Sequence, residues 1–296
     1  MVETIPAKTI LTPVQRPESW FGKRYNMNLY RGCVHGCIYC DSRSDCYRIA
    51  DFDTIAVKAE ALPLLEREMR GKRRKGIIGI GAMSDPYNPL ERQLRLTEQS
   101  LALMDRYGFG VHIPTKSDLI VRDIALLRAI AGHSPVSVGI TITACSDQLA
   151  QAIEPAAPSS TRRFAALRQL AGNGIYSGIL MMPILPFISD SRENILTLVR
   201  TAADCGVQYI YPWFGLTLRP GQREYFYQAL DRLYPGLKRR YQATYGDTYE
   251  CLSPDHRNLQ AIFIRECQKY NLRYRMADII AGAAAGKNVE SQLKLF

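Results

Sequence analysis

The chain has 296 residues, of which 47% are hydrophobic and 22% charged, a composition that is ordinary for a globular protein and excludes a disordered one. The 38 basic residues outnumber 28 acidic ones and give a net charge of +10, which favours an anionic partner such as nucleic acid but also occurs in basic enzymes without one. Eight cysteines are too few for a disulfide scaffold. Neither a signal peptide nor the ~18–20 apolar residues of a membrane span are visible, so we expect a cytoplasmic protein without membrane contact.

Four segments are predicted along the chain. Residues 1–24 contain three prolines and are expected to form an extended lead-in that crosses the surface. Residues 25–220 alternate short apolar runs with longer helical patterns, which indicates βαβ units and a parallel sheet. Residues 221–286 are predicted to form a helical C-terminal extension, and residues 287–296 a tail.

The central segment contains about six such units, which fits an α/β fold with a partial (βα)6 barrel better than a full eight-unit barrel. We expect the C-terminal extension to pack across one edge or mouth of this barrel. The predicted strands are residues 24–30, 76–83, 109–114, 135–143, 175–184 and 208–216. The predicted helices are residues 57–70, 97–107, 118–131, 161–172, 192–205, 222–234, 236–245, 256–270 and 274–285.

One cysteine-rich loop carries the prediction of function. Cys33, Cys37 and Cys40 follow a C-x3-C-x2-C spacing, and Gly32 and Gly36 give the backbone room to fold round a metal group. Thiolates are the protein ligands of iron–sulfur clusters, and a [4Fe–4S] cubane has four irons. Three cysteines would therefore leave one iron without a protein ligand, and an open position on a metal marks chemistry rather than structure alone.

A zinc site or a set of reduced structural thiols is the alternative explanation of this loop. Zinc usually takes four ligands, often from pairs of C-x2-C type. His35 offers a fourth ligand, but it lies between two of the cysteines, where tetrahedral binding would be strained. The cluster is therefore the preferred interpretation.

The cysteine spacing, with the aromatic Tyr39 directly before the last cysteine, resembles the radical S-adenosylmethionine (radical SAM) superfamily. The resemblance implies a [4Fe–4S] cluster whose open iron binds the amino and carboxylate groups of S-adenosylmethionine (SAM). It further implies that an electron from the cluster cleaves SAM to a 5′-deoxyadenosyl radical. A TIM-like partial barrel, a reducing compartment and an electron donor such as flavodoxin or ferredoxin follow from the same resemblance.

Polar residues follow the predicted strands, at the edge where the reactive groups of parallel α/β folds gather. The Ser-Asp-Pro sequence after the second strand, the Thr-Lys pair after the third and a hydroxyl pair after the fourth resemble the spore photoproduct lyase-like branch of the superfamily. This resemblance runs from residue 26 to about residue 220. It implies that Ser84 and Asp85 lie against the methionine part of SAM and that Lys116 meets its carboxylate. It also implies that Thr141, or alternatively Thr143, meets the ribose or the carboxylate.

Two further residues are candidates for the same cofactor. Met182 follows the fifth strand, and its soft side chain would suit the adenine face, with ordinary core packing as the alternative. Tyr39 corresponds to one of two tyrosines that flank the third cysteine in spore photoproduct lyase. It is a candidate for both SAM contact and catalysis.

The chain departs from spore photoproduct lyase at two positions. Ala82 stands where the lyase has the cysteine that returns a hydrogen atom to thymine, and Asp41 stands where it has its second tyrosine. Cys145, just beyond the fourth strand, or Cys46, close to the loop, could replace the missing donor, with a buried small hydrophobe as the alternative for each. We therefore expect a relative of the lyase and not a true spore photoproduct lyase.

The last five residues resemble the peptide that binds the bacterial sliding clamp. Gln292, Leu293, Leu295 and Phe296 match that motif, and a few buried anchors can carry most of a binding energy. The alternative is a last turn that packs on the chain's own core. Clamp binding is thus a hypothesis that would tether the protein to DNA.

Three functions remain open at this point. The leading hypothesis is a radical SAM enzyme that abstracts hydrogen from DNA in a lyase-like repair or modification reaction. The second moves the same chemistry to a peptide, as in the spliceases of this branch. The third is a non-enzymatic, cluster-bearing DNA-binding protein.

Overall fold

The computed structural model describes residues 3–16 and 19–285, so the predicted clamp-binding peptide lies outside the described residues. The described part is a mixed α/β structure. Its strands are β1 (Glu3–Ile5), β2 (Leu11–Pro13), β3 (Lys23–Met27), β4 (Tyr30–Arg31), β5 (Ala56–Lys58), β6 (Ile77–Ile80), β7 (Gly110–Thr115), β8 (Val136–Thr141), β9 (Ser177–Met181), β10 (Tyr209–Pro212), β11 (Gly215–Thr217) and β12 (Glu250–Leu252). Its helices are α1 (Ala61–Gly71), α2 (Glu91–Leu94), α3 (Leu96–Tyr107), α4 (Ile124–Ala131), α5 (Asp147–Ile153), α6 (Ser160–Gly172), α7 (Arg192–Asp204), α8 (Gln222–Leu233), α9 (Leu237–Tyr245), α10 (His256–Lys269) and α11 (Met276–Ala285).

A seven-stranded sheet forms the centre, in the order β10-β9-β8-β7-β6-β3-β2. Six strands of this sheet are parallel and follow chain order: β3, β6, β7, β8, β9 and β10. Strand β2 pairs antiparallel with β3 at the edge. This arrangement confirms the predicted α/β fold with six parallel strands. The ends of parallel strands gather the loops that follow them at one edge, so the sheet positions the predicted site residues.

Alternating side chains of the strands pack into different clusters, as the period of two in a β-strand requires. In β9, Ile179 and Met181 lie in the main hydrophobic core with the helices, whereas Leu180 lies in a second cluster with Tyr209 and Phe21. The sheet is therefore buried on both faces, which explains its continuous apolar runs.

The lead-in is extended and largely exposed, but part of it also enters the core, which the sequence did not indicate. β1 pairs with β5, and β2 extends the central sheet. Ile10, Leu11 and Phe21 are buried, and the Phe21 ring stacks on His112 of β7 with 3.9 Å between ring centroids. The apolar residues between the prolines thus belong to the core.

Several predicted boundaries also differ from the structure. Residues 57–70, predicted as one helix, contain the end of β5 and then α1, and Pro63 lies in the first turn of α1, where a missing N–H is tolerated. Residues 208–216 are divided between β10 and β11. Helix α5 was not predicted, because it is short; Ser146 caps its N-terminus by accepting from the Leu149 N–H.

The C-terminal extension is helical, as expected, and contacts the barrel in several places. α10 packs on α7, where Arg200 Nε lies 2.7 Å from Glu266 Oε1. α8 lies against the turn that follows the cysteine loop, and α11 lies against β8. Within the described residues, no helix combines the length and apolar character needed to cross a membrane.

Phe21 tests whether the lead-in supports the barrel. We expect Phe21→Ala to lower the free energy of unfolding by about 3–5 kcal/mol, because it removes a buried ring and leaves a cavity beside His112. Urea denaturation followed by circular dichroism measures the change. Tyr270→Ala, at an exposed aromatic residue, is the control and should change stability by less than about 0.5 kcal/mol. A loss below about 1 kcal/mol for Phe21→Ala would contradict the assignment of the lead-in to the core.

Candidate metal centre and its cavity

The cysteine loop is held in a sharply folded shape. Gly32 and Gly36 both have positive φ angles, of 81° and 67°. A Cβ atom at Gly32 would clash with the carbonyl oxygen of Thr54, so glycine is required there for space as well as for conformation. The Cys33 N–H donates to the carbonyl of Phe52 at 2.8 Å, which anchors the start of the loop.

The three cysteines line one cavity at the carboxyl edge of the sheet. Cys33 and Cys37 are buried and Cys40 is half-buried, and all three are free thiols. Burial raises the pKa of each thiol, to about 11 at Cys33, so thiolates would form here on metal binding rather than in its absence. The full lining of the cavity is Cys33, His35, Cys37, Cys40, Ser42, Phe52, Gly81, Ala82, Met83, Ser84, Asp85, Pro114, Thr115, Lys116 and Thr141.

The arrangement does not match a single-ion zinc site. Across residues 3–16 and 19–285, no three His, Cys, Asp or Glu side chains are grouped to hold one metal ion. The Nε2 atom of His35 is instead hydrogen-bonded to Asp85 Oδ2 at 3.0 Å. A cubane places different demands on the loop, because each thiolate binds its own iron.

Asp85 links the cysteine loop to two strand ends. Its Oδ2 accepts from His35 Nε2 and from the Lys116 N–H at 2.8 Å, while its Oδ1 accepts from Thr115 Oγ1 at 2.7 Å and from the Tyr87 N–H at 2.9 Å. Although burial alone would raise its pKa, these partners lower the pKa of Asp85 to about 2. A carboxylate offers about four lone-pair sites, and the protein fills all of them. Asp85 therefore positions the loop, and the expected contact with SAM gains no support from its hydrogen bonding.

Three other predicted cofactor residues reach the same cavity. Ser84 Oγ donates to the carbonyl of Gly32 at 2.5 Å, so it also fixes the loop. Lys116 points its Nζ over the Tyr39 ring, 5.5 Å from the centroid. Burial opposes its charge, but Cys37 and Glu154 raise the pKa of Lys116, which keeps it cationic at neutral pH. Thr141 completes this wall from the end of β8.

A buried ion pair lies behind Tyr39. The Tyr39 hydroxyl donates to Glu154 Oε1, and Arg163 Nη1 lies 2.5 Å from Glu154 Oε2. Arg163 also donates to the carbonyl of Thr141 at 2.9 Å. Burial would raise the pKa of Glu154, but Arg163 and Lys116 lower it, so the carboxylate stays charged. The pair thus joins the cysteine loop to the end of β8.

Tyr39 lies behind Lys116 and does not line this cavity, and four other predicted residues are not brought to it. Thr143 is buried, and its Oγ1 has no hydrogen-bond partner in the described part of the chain. Met182 packs in the aromatic cluster around Phe21, which favours the core alternative. Cys145 packs against the main core, where burial raises its pKa to about 12, and Cys46 is exposed beside Arg219.

The prediction missed the residues that support the site from outside it. Glu154 and Arg163 belong to no recognisable motif, and their pairing depends on how α5 and α6 pack. His35 was considered only as a zinc ligand, although it is a partner of Asp85. Glu154 directly follows α5 and Arg163 lies within α6, so no local sequence signal marks either residue.

Acid titration tests whether the hydrogen-bond partners of Asp85 stabilise its carboxylate. The folded-state pKa of about 2 lies below the ordinary value of 3.8, so Asp85 stabilises the fold above pH 3.8 and loses this contribution as pH falls towards 2. We expect the free energy of unfolding to fall between pH 5 and pH 2 by roughly 2 kcal/mol more in the wild type than in Asp85→Asn. Urea unfolding across this range measures the difference. Asp204→Asn, at an exposed position, should show the wild-type dependence of the unfolding free energy on pH. The same dependence in Asp85→Asn would show that the Asp85 carboxylate does not stabilise the fold.

A double-mutant cycle tests the ion pair. Glu154→Gln leaves the Arg163 charge buried without its partner and should cost about 3–5 kcal/mol of stability. Arg163→Met alone should cost a similar amount, and the double variant less than the sum, because neither charge is then left alone. Thermal and urea unfolding measure all four proteins. Additive effects would show that the two side chains do not interact.

Comparisons with known proteins agree with this geometry. An uncharacterized protein of Mycobacterium tuberculosis is 31% identical over 229 residues, covering 75% of this chain and 67% of the relative. An uncharacterized protein of Methanocaldococcus jannaschii is 35% identical over 188 residues, covering 63% of this chain and 68% of the relative.

Solved structures with a similar fold include two kinds of enzyme. Spore photoproduct lyase complexed with dinucleoside spore photoproduct has a TM-score of 0.66 at 14% identity, covering 90% of this chain and 78% of that one. The radical SAM methyltransferase TsrM from Kitasatospora setae, with tryptophan and a SAM analog bound, has a TM-score of 0.56 at 10% identity, covering 91% of this chain and 61% of that one.

The Radical SAM superfamily matches residues 27–199, a region that contains the cysteine loop and five of the six parallel strands in whole or in part. Related structures were solved with bound AdoMet and with a [4Fe–4S] cluster. The match covers more than half of the chain, and the fold and cavity fit it. The chain belongs to the radical SAM superfamily, whose members use a [4Fe–4S] cluster and SAM.

Proposed function

We propose that this radical SAM enzyme acts on DNA, in a lyase-like repair or modification reaction. One observation carries the proposal: three thiols, a cationic lysine and the hydroxyls of Ser84 and Thr141, among others, line a single cavity at the carboxyl edge of the sheet. Their chemistry fits the two groups that the superfamily uses, since thiolates bind iron and an ammonium group binds a carboxylate.

In this proposal Cys33, Cys37 and Cys40 hold three irons of the cluster. When bound, the cluster and SAM together supply a 5′-deoxyadenosyl radical, which abstracts hydrogen from a substrate carbon. Lys116 binds the SAM carboxylate, and Thr141 offers a hydroxyl from the next strand end. Burial of the residues around Lys116 lowers the local dielectric and would strengthen the lysine–carboxylate interaction.

The residues behind the wall hold these groups in place. Tyr39 lies under the Lys116 ammonium group and is fixed by its hydrogen bond to Glu154. Ser84 and Asp85 hold the loop through Gly32 and His35. Each acts on the reaction by fixing the position of a neighbour, so each is a positioning residue.

DNA is the proposed substrate for two reasons. The net charge of +10 favours a polyanion, and spore photoproduct lyase, whose fold is similar, was solved with a dinucleoside photoproduct. The reaction would end differently from that of the lyase. Ala82 lines the cavity where the lyase has its hydrogen-donating cysteine, and alanine has no hydrogen that it can transfer readily.

Anaerobic reconstitution tests the radical chemistry. We expect wild-type protein with dithionite and SAM to form 5′-deoxyadenosine. The rate of its formation should be at least about 100-fold lower in Cys40→Ala, because one iron loses its ligand. Liquid chromatography measures the product, and iron analysis and EPR measure the cluster. Cys205→Ala is the matched control, since Cys205 lies in the core away from the loop. Zinc in the anaerobically purified protein, or full activity in Cys40→Ala, would refute the cluster assignment.

A second arm tests the substrate. Ultraviolet-treated DNA should raise the rate of 5′-deoxyadenosine formation and should itself change mass, as measured by nucleoside mass spectrometry. If SAM is cleaved at the same rate with and without DNA, and the DNA is unchanged, the DNA proposal fails while the radical chemistry stands. Absence of 5′-deoxyadenosine with an intact cluster would favour the non-enzymatic alternative.

A further inference from the structure

His35 lies between the cavity of the three cysteines and a neighbouring cavity. This residue lines the cavity of the three cysteines and also a second, outer cavity of about 210 Å³. It lies in the chain between Cys33 and Cys37, and only 5% of its surface is exposed. His35 is thus the residue that both cavities share.

The hydrogen bonding of His35 is incomplete on one side. Its Nε2 is fixed by Asp85 at 3.0 Å, whereas its buried Nδ1 has no hydrogen-bond partner in the described part of the chain. Asp85 keeps the imidazole in one orientation, with a π system placed between the two cavities. A fixed, buried ring next to the cysteines offers a short covalent and through-space path from the outer cavity to any metal group that they hold.

The outer cavity has a basic rim at the carboxyl edge of the sheet. Arg92 of α2 and Arg162 of α6 both line it and are exposed. Arg162 is paired with Asp118, 2.6 Å away, while Arg92 has no ion pair in residues 3–16 and 19–285. Two guanidinium groups against one carboxylate leave this rim positive, in a chain whose net charge is +10. Charge of this kind steers an acidic partner towards the rim.

We propose that the surface formed by Arg92, Asp118 and Arg162 around His35, here termed the His35 face, docks the acidic protein that supplies electrons to the enzyme. The inference rests on the proposed function, because it needs a reducible cluster held by the three cysteines. The partner is an acidic one-electron carrier with a flavin or iron–sulfur group near its own surface. In the transfer the carrier is oxidised by one electron and the cluster is reduced by one electron, with no bond made or broken and no proton moved.

The experiment compares a protein reductant with a small one on the reconstituted holoenzyme. Reduced flavodoxin serves as the acidic carrier and dithionite as the small reductant, and stopped-flow absorbance follows the cluster. Arg92→Glu/Arg162→Glu should slow reduction by flavodoxin at least about tenfold at low ionic strength, since steering by local charge contributes 10–10³ to association rates. The difference should shrink to about twofold in ~0.5 M salt, where charges are screened within a few ångströms. Reduction by dithionite, and 5′-deoxyadenosine formation with it, should be unchanged.

Arg239→Glu/Arg257→Glu is the matched control, because it makes the same charge change at exposed positions on α9 and α10. An equal loss in this control would show that only net charge matters and would overturn the proposal. The neutral pair Arg92→Gln/Arg162→Gln should give an intermediate rate, which keeps the test valid if the charge-reversed pair is unstable.

Two other results would also overturn the proposed docking surface. One is a wild-type flavodoxin rate that does not depend on salt or on Arg92 and Arg162. The other is a loss of DNA affinity by fluorescence anisotropy in the double variant with an unchanged flavodoxin rate, which would assign the face to nucleic acid. Failure of wild-type protein to be reduced by dithionite would instead refute the proposed cluster, so the two failures are distinguishable.

Discussion

The buried pair of Glu154 and Arg163 is the interaction on which the candidate site depends. Each side chain has only about 1% of its surface exposed, and together they fix the Tyr39 hydroxyl and the carbonyl of Thr141. Breaking a buried pair leaves a charge with no solvent to stabilise it, so the pair holds its neighbours firmly. The cysteine loop and the end of β8 are therefore held at one fixed separation.

The charges around the cavity are arranged in alternation. Burial lowers the pKa of Lys116, but Cys37 and Glu154 raise it further, so its ammonium group persists although it is largely removed from water. Asp85 is stabilised as a carboxylate by hydrogen bonds from His35 and from backbone N–H donors. Under the proposed function, such a site would bind an anionic group at Lys116 without reorganising its surroundings, as preorganised electrostatics requires.

Local patterns explain which parts could be predicted from the sequence. The six parallel strands could be predicted because each is a short apolar run between helices. The cysteine loop could be predicted because its three cysteines lie close together in the chain at a recognisable spacing. The sequence left Met182 open between cofactor contact and core packing, and it did not show that part of the lead-in is buried. Packing decides both, because Phe21 and its neighbours fill the face of the sheet where Met182 lies. The Glu154–Arg163 pair joins two helices and could not be read from any one segment.

The C-terminal extension has a consequence for the order of assembly. Gln222 Nε2 donates to the Tyr39 carbonyl at 2.9 Å, and the Asp45 N–H donates to the Pro220 carbonyl at 3.1 Å. Both partners follow the whole barrel in the chain, so on the ribosome the cysteine loop acquires these two hydrogen bonds only after residues 220–222 have been synthesised. A cluster assembled on this loop would therefore reach its final surroundings only after all six parallel strands have been made.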